Sequence, residues 1–175
     1  LLAMPELVTG PFRRSVVLMT AHEREGAMGF IVNRPLDADV SEVLEDLDIP
    51  WMGRSDERVW MGGPVRPESG WVLFSGKARQ EVEGAVEVLP GLFLSASVEL
   101  LRDLASRPPR RFRLCLGHAA WGPSQLESEL IDGSWMLAPA TAALIFDTPP
   151  EQMWDVAFRQ LGLDPSVIVP DQGVQ

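Results

Sequence analysis

The feature that most constrains the fold is a series of short apolar segments between residues 59 and 95, each closed by glycine or proline. They are of strand length and rich in β-branched or aromatic residues, so we predict four strands: Val59–Met61, Gly70–Phe74, Ala85–Leu89 and Leu92–Ser95. The turns between them include Gly62-Gly63-Pro64 and Pro90-Gly91. The middle of the chain is therefore predicted to be rich in β-structure with tight turns.

Amphipathic helices are predicted on either side of this section. Three of them begin with a capping box, at Asp39–Glu42, Ser124–Glu127 and Thr148–Glu151. Ser97 is the predicted cap of a fourth helix, whose inward face carries Val98, Leu101 and Leu104. Shorter apolar segments predict further strands at Ser15–Thr20, Ala27–Asn33, Phe112–Leu116, Trp135–Leu137 and Ala142–Phe146.

Strand segments in the middle and helices concentrated later predict a mixed α/β (α+β) fold. We expect a largely mixed or antiparallel sheet covered by helices, because strands and helices do not alternate strictly. A length of 175 residues suits one ordinary domain. We therefore expect a single domain over residues 1–175, with a smaller β-rich subregion at about 65–91.

The charge of the chain argues against a general role on nucleic acid or anionic membranes. Its 25 acidic residues outnumber 15 lysines and arginines, which gives a formal net charge of -10. Polyanions repel such a protein. No apolar run approaches the ~18 residues needed to span a bilayer. Cys115 is the only cysteine, so no intrachain disulfide can form, and we expect a reducing, cytoplasmic location.

The segment from Leu114 to Glu127 is the most informative for function, because it places a strand end, a small-residue loop and a helix start in succession. Such an arrangement favours an anionic ligand at the helix N-terminus. The candidate ligand-binding residues are Gly117, His118, Trp121, Gly122 and Ser124. Two alternatives remain: the Ser124 capping box satisfies the free N–H groups itself, and Trp121 fills the core instead of contacting a ligand.

No complete catalytic or metal-binding constellation is recognisable. Cys115 and His118 stand three residues apart, but no second cysteine or histidine pair completes a zinc site, and His22 is the only other histidine. Cys115 lies in an apolar strand, which predicts an inert buried thiol. Glu129 is interpreted as a solvated residue. We assign no catalytic residue, metal or cofactor, and the sequence leans against an enzyme while leaving the question open.

A cluster of arginines near a proline pair is a candidate surface for an acidic partner. It consists of Arg107, Arg110, Arg111 and Arg113. The alternative is structural, since positive charge at the C-terminus of the predicted helix complements its dipole. A tryptophan, Trp51, also lies in the Pro50–Gly53 turn.

The segment from Gly117 to Leu130, followed by Trp135, resembles the signature of the bacterial YqgE/AlgH family. Other stretches resemble the family in the expected order: Ala3–Pro5, Phe12–Val16, Gly26–Pro35, Gly62–Pro64 and Ala138–Ala140. The family commonly has glycine where this chain has Ala120 and Ser124. The resemblance implies a compact mixed α/β fold and a cytosolic bacterial protein, sometimes described as a transcriptional regulator, without established catalytic residues.

These observations favour a non-enzymatic cytosolic regulatory or interaction protein, acting on transcription only indirectly. Its expected partner is an unidentified protein, not nucleic acid directly and not a membrane, and the oligomeric state is open. One alternative is a binder of, or enzyme for, small anionic or phosphate-bearing molecules at the 117–124 loop. The other is direct DNA binding through the 107–113 arginine cluster.

Overall fold

The computed structural model describes residues 1–5, 7, 10–79 and 81–168. Its contacts divide the chain into two compact units. The terminal unit comprises Leu1–Asn33 and Ala120–Gln175, and the central unit comprises Arg34–Ala119. Both contain strands and helices, which confirms the mixed α/β class, whereas a single domain over the whole chain stays a prediction.

Strands and helices follow one another along the whole described part of the chain. The strands are β1 (Leu2–Ala3), β2 (Val17–Glu23), β3 (Gly26–Ile31), β4 (Pro35–Asp39), β5 (Arg58–Met61), β6 (Val65–Ser75), β7 (Ala85–Leu89), β8 (Leu92–Ser95), β9 (Phe112–Trp121) and β10 (Trp135–Met136). The helices are α1 (Val40–Glu45), α2 (Val98–Ser106), α3 (Gln125–Ile131), α4 (Ala142–Asp147), α5 (Pro150–Gln160) and α6 (Pro165–Ile168). None of the helices in the described residues is long and apolar enough to cross a membrane.

The central unit contains a largely antiparallel sheet. Its strands pair in the order β4, β5, β9, β6, β8, β7, and only β5 and β9 run parallel, with Trp60 opposite Cys115. All four strands predicted between residues 59 and 95 are present. The tight turn at Pro90-Gly91 explains the antiparallel pairing of β7 with β8, because so short a connection returns the chain beside the strand it has left.

Two helices close one side of the central core. Val40 and Leu44 of α1 and Leu101 and Ala105 of α2 are buried with strand residues in one hydrophobic cluster: Val59, Val72, Phe74, Phe93, Phe112 and Leu114. Full burial of one such large apolar side chain contributes about 1.5–3 kcal/mol. The central unit therefore has its own core.

The caps of α1 and α2 form as predicted. The backbone N–H of Asp39 donates to Glu42 Oε2 at 3.0 Å, and Ser97 Oγ accepts from the N–H of Leu100 at 3.2 Å. The inward position predicted for Val98 is wrong, since this side chain is 46% exposed. Val98 lies in the first turn of α2, ahead of Leu101, where the helix first contacts the core.

The terminal unit consists of two strand pairs and four helices in its described residues. β2 and β3 form the predicted antiparallel hairpin, and β1 pairs with β10. The α5 helix is confirmed, with Met153, Trp154, Ala157 and Phe158 buried, but the capping box predicted at Thr148–Glu151 is wrong, because the cap position is Pro149 and no side chain caps the helix. The strand predicted at 142–146 is wrong: it is helix α4, because Thr141 Oγ1 accepts the N–H of Leu144 at 3.1 Å and starts a helical turn.

Candidate functional site

The segment predicted as a small-residue loop at 117–121 is the second half of a strand. β9 continues to Trp121, and only residues 122–124 separate it from α3. His118 pairs with Val65 of β6 after a register shift between Val65 and Gly70, so the ladder extends past the predicted strand end at Leu116. The expected order of strand, loop and helix is thus correct, but the loop is only three residues long.

Glycines at two of the sequence motifs allow two backbones to approach closely within the central unit. The N–H of Gly62 donates to the carbonyl of Leu116 at 2.8 Å. Gly63 and Gly117 have φ angles of +157° and +69°. A Cβ on Gly63 would overlap the carbonyl of His118, and one on Gly117 would overlap the carbonyl of Gly63. Both positions therefore require glycine.

His118 lies on β9 at the edge of an aromatic ring. Its imidazole is 6.1 Å from the Trp71 ring in an edge-to-face arrangement, and its side chain is partly buried. Burial, and then the positive charge of Arg66, lowers the pKa of His118. The imidazole is therefore neutral at pH 7 and carries one donor and one acceptor nitrogen.

Trp121 and Trp135 share one carboxylate in the terminal unit. Glu129 Oε2 accepts the Nε1–H groups of Trp121 at 2.8 Å and of Trp135 at 2.7 Å, and Oε1 accepts from Gln125 Nε2 at 2.9 Å. The two indoles pack edge to face at 5.8 Å, and Phe12 contacts both rings. Trp121 is only 6% exposed, which supports its reading as a core residue.

This arrangement shows that the sequence interpretation of Glu129 as a solvated residue is wrong. Its carboxylate is partly buried, and three side chains donate to it. The available signal was the presence of two tryptophans within eight positions of one glutamate, because buried indole N–H groups require acceptors. The spacing of residues along the helix did not by itself predict that Glu129 accepts these hydrogen bonds.

The capping box predicted at Ser124–Glu127 does not form. Ser124 has a left-handed φ of +60° and its side chain makes no cap hydrogen bond, while its carbonyl accepts from the N–H and Oγ–H of Ser128. The Glu127 carboxylate instead pairs with His22 Nε2 at 2.6 Å. A left-handed φ also explains why the resembled family commonly has glycine at this position.

Gly122 already donates its backbone N–H within the segment. The acceptor is Gln125 Oε1, at 2.9 Å. The anion-binding arrangement expected from the sequence therefore lacks this donor, and α3 has only seven residues. Ligand binding by Gly117, His118, Trp121, Gly122 and Ser124 stays a prediction.

The four arginines of the 107–113 cluster do not form one exposed patch. Arg107 follows α2 and is exposed, as is Arg110, and Arg111 is partly buried. Arg113 is only 4% exposed, and its guanidinium lies over the Trp60 ring at 3.7 Å from the centroid. Burial lowers the pKa of Arg113 to about 10. Because side chains alternate along β9, Arg113 lies on the face opposite Phe112 and Leu114, and this face is also covered, so Arg113 is not available to a partner.

The single cysteine is buried, as predicted. Cys115 is 1% exposed, and burial raises the pKa of its thiol to about 12. The thiol is therefore protonated at neutral pH, whereas nucleophilic cysteines act as thiolates. Within the described residues, no group of three or more histidine, cysteine, aspartate or glutamate side chains is placed to hold a metal ion.

Comparison with known proteins assigns the chain to a family. The AlgH-like family model matches residues 1–166. The chain belongs to the AlgH-like family. An AlgH-like relative from Myxococcus xanthus, named UPF0301 protein, is 42% identical over 176 residues, which cover 99% of this chain and 95% of the relative. A UPF0301 protein from Anaeromyxobacter dehalogenans is 44% identical over 95% of this chain and 88% of its own length.

Two solved structures share the AlgH-like fold of this chain. The solution structure of the AlgH protein from Pseudomonas aeruginosa has a TM-score of 0.79 and 32% identity, and the match covers 99% of this chain and 93% of that one. A crystal structure of a Corynebacterium diphtheriae protein has a TM-score of 0.75 at 22% identity, over 96% of this chain and 88% of that one. The names of these proteins state no reaction or ligand.

Proposed function

We propose that this AlgH-like chain is a non-enzymatic regulatory or interaction protein of the cytosol, whose partner is another protein. The observation that carries the proposal is the position of Glu129 between Trp121 and Trp135. This acidic residue of the family signature is engaged in packing two tryptophans against each other. The signature therefore stabilises the terminal unit.

The hydrogen bonds to Glu129 and the burial of Cys115 both argue against a catalytic role. A general acid or base must exchange a proton with a substrate, but both oxygens of Glu129 already accept hydrogen bonds from indole or amide groups. Cys115 is buried as a protonated thiol. Glu129 and Cys115 thus favour a structural role over a catalytic one.

Large exposed apolar side chains favour contact with a protein. Met52 and Val86 of the central unit are 68% and 66% exposed, and Ile131 and Leu137 of the terminal unit are 85% and 65% exposed. Isolated exposed apolar residues are common, but they are also the groups that protein interfaces bury. With a formal charge of -10 and Arg113 buried, a protein partner fits better than DNA. Any effect on transcription is then indirect.

In-cell crosslinking followed by purification and reconstitution tests this function. We expect a defined protein partner that forms a stoichiometric complex with the purified chain at physiological salt. Failure to recover a specific partner would contradict the proposal, as would a robust turnover activity lost on His118→Ala. Sequence-specific operator binding by the purified chain at physiological salt would contradict the indirect mode of regulation.

His118 supports a second candidate function, the binding of a phosphate- or carboxylate-bearing small molecule. Burial and then the Arg66 charge lower the pKa of this imidazole, so positive charge lies near a neutral donor and acceptor. A thermal-shift screen with nucleotides, phosphorylated metabolites and metals, run on wild type and His118→Ala, tests it. Stabilisation of wild type alone would support this function, and equal responses of the two proteins would refute it.

A further inference from the structure

We propose that the segment from Glu45 to Met52 in the central unit is a docking surface for a basic segment of a partner protein that carries a large apolar side chain. This inference rests on the proposed interaction function and names the surface and the chemistry of its partner. An open groove lies along this segment, lined by Ser41, Glu45, Asp48, Ile49, Pro50 and Trp51.

Trp51 is held rigidly at the wall of the groove. Its Nε1–H donates to the carbonyl of Arg54 at 2.8 Å, and its ring packs on Phe112 with centroids 4.9 Å apart. A Cβ on Gly53 would overlap the indole, so glycine permits close contact of the backbone with the ring. A fixed aromatic side chain loses little conformational entropy when it binds, and tryptophan is enriched among the residues that dominate binding energy.

Two large apolar side chains of the same segment are left exposed to solvent. Met52, which directly follows Trp51, is 68% exposed, and Leu47 is 46% exposed. Met52 is nevertheless fixed through its backbone, whose N–H donates to the carbonyl of Ala105 at 3.0 Å. Methionine adapts its shape to different apolar partners and recurs at binding surfaces. The segment therefore combines one rigid and one adaptable apolar contact.

The charges around the groove determine what kind of segment fits. Glu45, Asp46 and Asp48 are all exposed, and none of them takes part in an ion pair within the described residues. The nearby cation Arg102 donates to the backbone carbonyls of Leu47 and Asp48, at 3.1 and 3.0 Å. The three carboxylates are thus left for an external cation, which lysine or arginine side chains of a partner supply.

These carboxylates also lie at positions where negative charge does not stabilise the fold. They follow or end α1, and the last turn of this helix contains no basic residue. Negative charge at a helix C-terminus is unfavourable because the helix dipole is negative there. A local arrangement that opposes stability is expected at functional surfaces. A second copy of this chain is disfavoured as occupant, because each copy carries a net charge of -10.

Fluorescence anisotropy with short labelled peptides tests the surface. One peptide has a phenylalanine and a leucine flanked by lysines, a second replaces these two residues with serines, and a third replaces the lysines with glutamates. The test protein is the Glu45→Lys/Asp48→Lys double variant. The matched control is Glu23→Lys/Glu68→Lys, which changes the net charge equally at exposed positions elsewhere.

We expect the lysine peptide with the apolar pair to bind wild type and the control with affinities within about twofold. Its affinity should fall about tenfold in the groove variant, about tenfold on loss of the apolar pair, and more on charge reversal of the peptide; each tenfold corresponds to about 1.4 kcal/mol. Amide NMR shifts confined to residues 45–52 would support the proposal, even if the groove variant folds poorly.

Equal losses in the groove and control variants would overturn the proposal, because net charge alone would then explain binding. No binding of the lysine peptide, or undiminished binding of the glutamate peptide, would also overturn it. Sedimentation showing a dimer that Met52→Ser dissociates would assign the surface to a second copy instead. If a reconstituted partner complex survives the groove variant unchanged, this surface is wrong while the interaction function stands.

Discussion

Replacement of Glu129 by alanine tests whether this carboxylate stabilises the packed tryptophan pair of the signature segment. The change removes the carboxylate that accepts the Nε1–H groups of Trp121 and Trp135, whose residues are 6% and 5% exposed. A hydrogen bond to a charged group contributes about 1.5–3 kcal/mol. Water reaches part of this partly buried carboxylate and can replace some of the loss. We therefore expect Glu129→Ala to lower the free energy of unfolding by about 2–4 kcal/mol in all.

Glu127→Ala is the matched control, because it removes a carboxylate from the same helix. Glu127 pairs with His22 at the surface, where both side chains are 49% exposed, and exposed ion pairs contribute little. Urea unfolding followed by tryptophan fluorescence and by far-UV circular dichroism measures both variants. If Glu129→Ala destabilises the chain no more than Glu127→Ala does, Glu129 does not stabilise the tryptophan pair.

Glu129 should also make the stability of the chain depend on pH, and the shift of its pKa gives the direction of that dependence. Burial raises the pKa of Glu129, but hydrogen bonds from Trp135, Gln125 and Trp121 outweigh it, so the pKa is lowered overall. A lowered folded-state pKa contributes stability above the unfolded value of about 4.3, and this contribution is lost as the pH falls through the folded value. The stability difference between wild type and Glu129→Ala should therefore shrink in acid, and a constant difference from pH 7 to pH 3 would contradict this.

Three further predictions follow from local geometry. Ser124→Gly should raise the free energy of unfolding by roughly 0.5–1 kcal/mol, because glycine relieves a left-handed φ of +60°; unchanged or lower stability in urea would count against it. Gly63→Ala should cost about 1–3 kcal/mol or prevent folding, since its Cβ meets the His118 carbonyl; a wild-type melting temperature would disprove this. Cys115, buried with a pKa of about 12, should react with a thiol reagent only under unfolding conditions, and rapid native labelling would refute its burial.

Elements with strong local signals were predictable from the sequence. The α5 helix carries an apolar stripe at helical spacing with proline at its first turn, and its four central apolar residues are buried. Of the strands between residues 59 and 95, β5, β7 and β8 are short and their ends agree with the prediction to within one residue, whereas β6 begins at Val65 and not at the predicted Gly70. In these segments, local preference and tertiary packing favour the same structure.

Other elements were predicted wrongly, one because a distant contact extends a strand and one because a helix cap went unrecognised. The small residues after Leu116 indicated a loop, but pairing of His118 with Val65 continues the strand. Thr141 turned an apolar run predicted as a strand into α4 by capping it. The site was harder to predict than the fold, because the acceptor role of Glu129 depends on where Trp121 and Trp135 meet in three dimensions.

The contact between Trp121 and Trp135 also has an optical consequence. The two indole centroids are 5.8 Å apart and their planes meet at 78°. Electronic transitions of two nearby, non-parallel indoles couple, and the coupled pair produces a two-signed circular dichroism band that neither ring gives alone. Loss of that band after Trp135→Phe would assign it to this tryptophan pair. Its decrease during unfolding would then report the disassembly of the family signature separately from the rest of the chain.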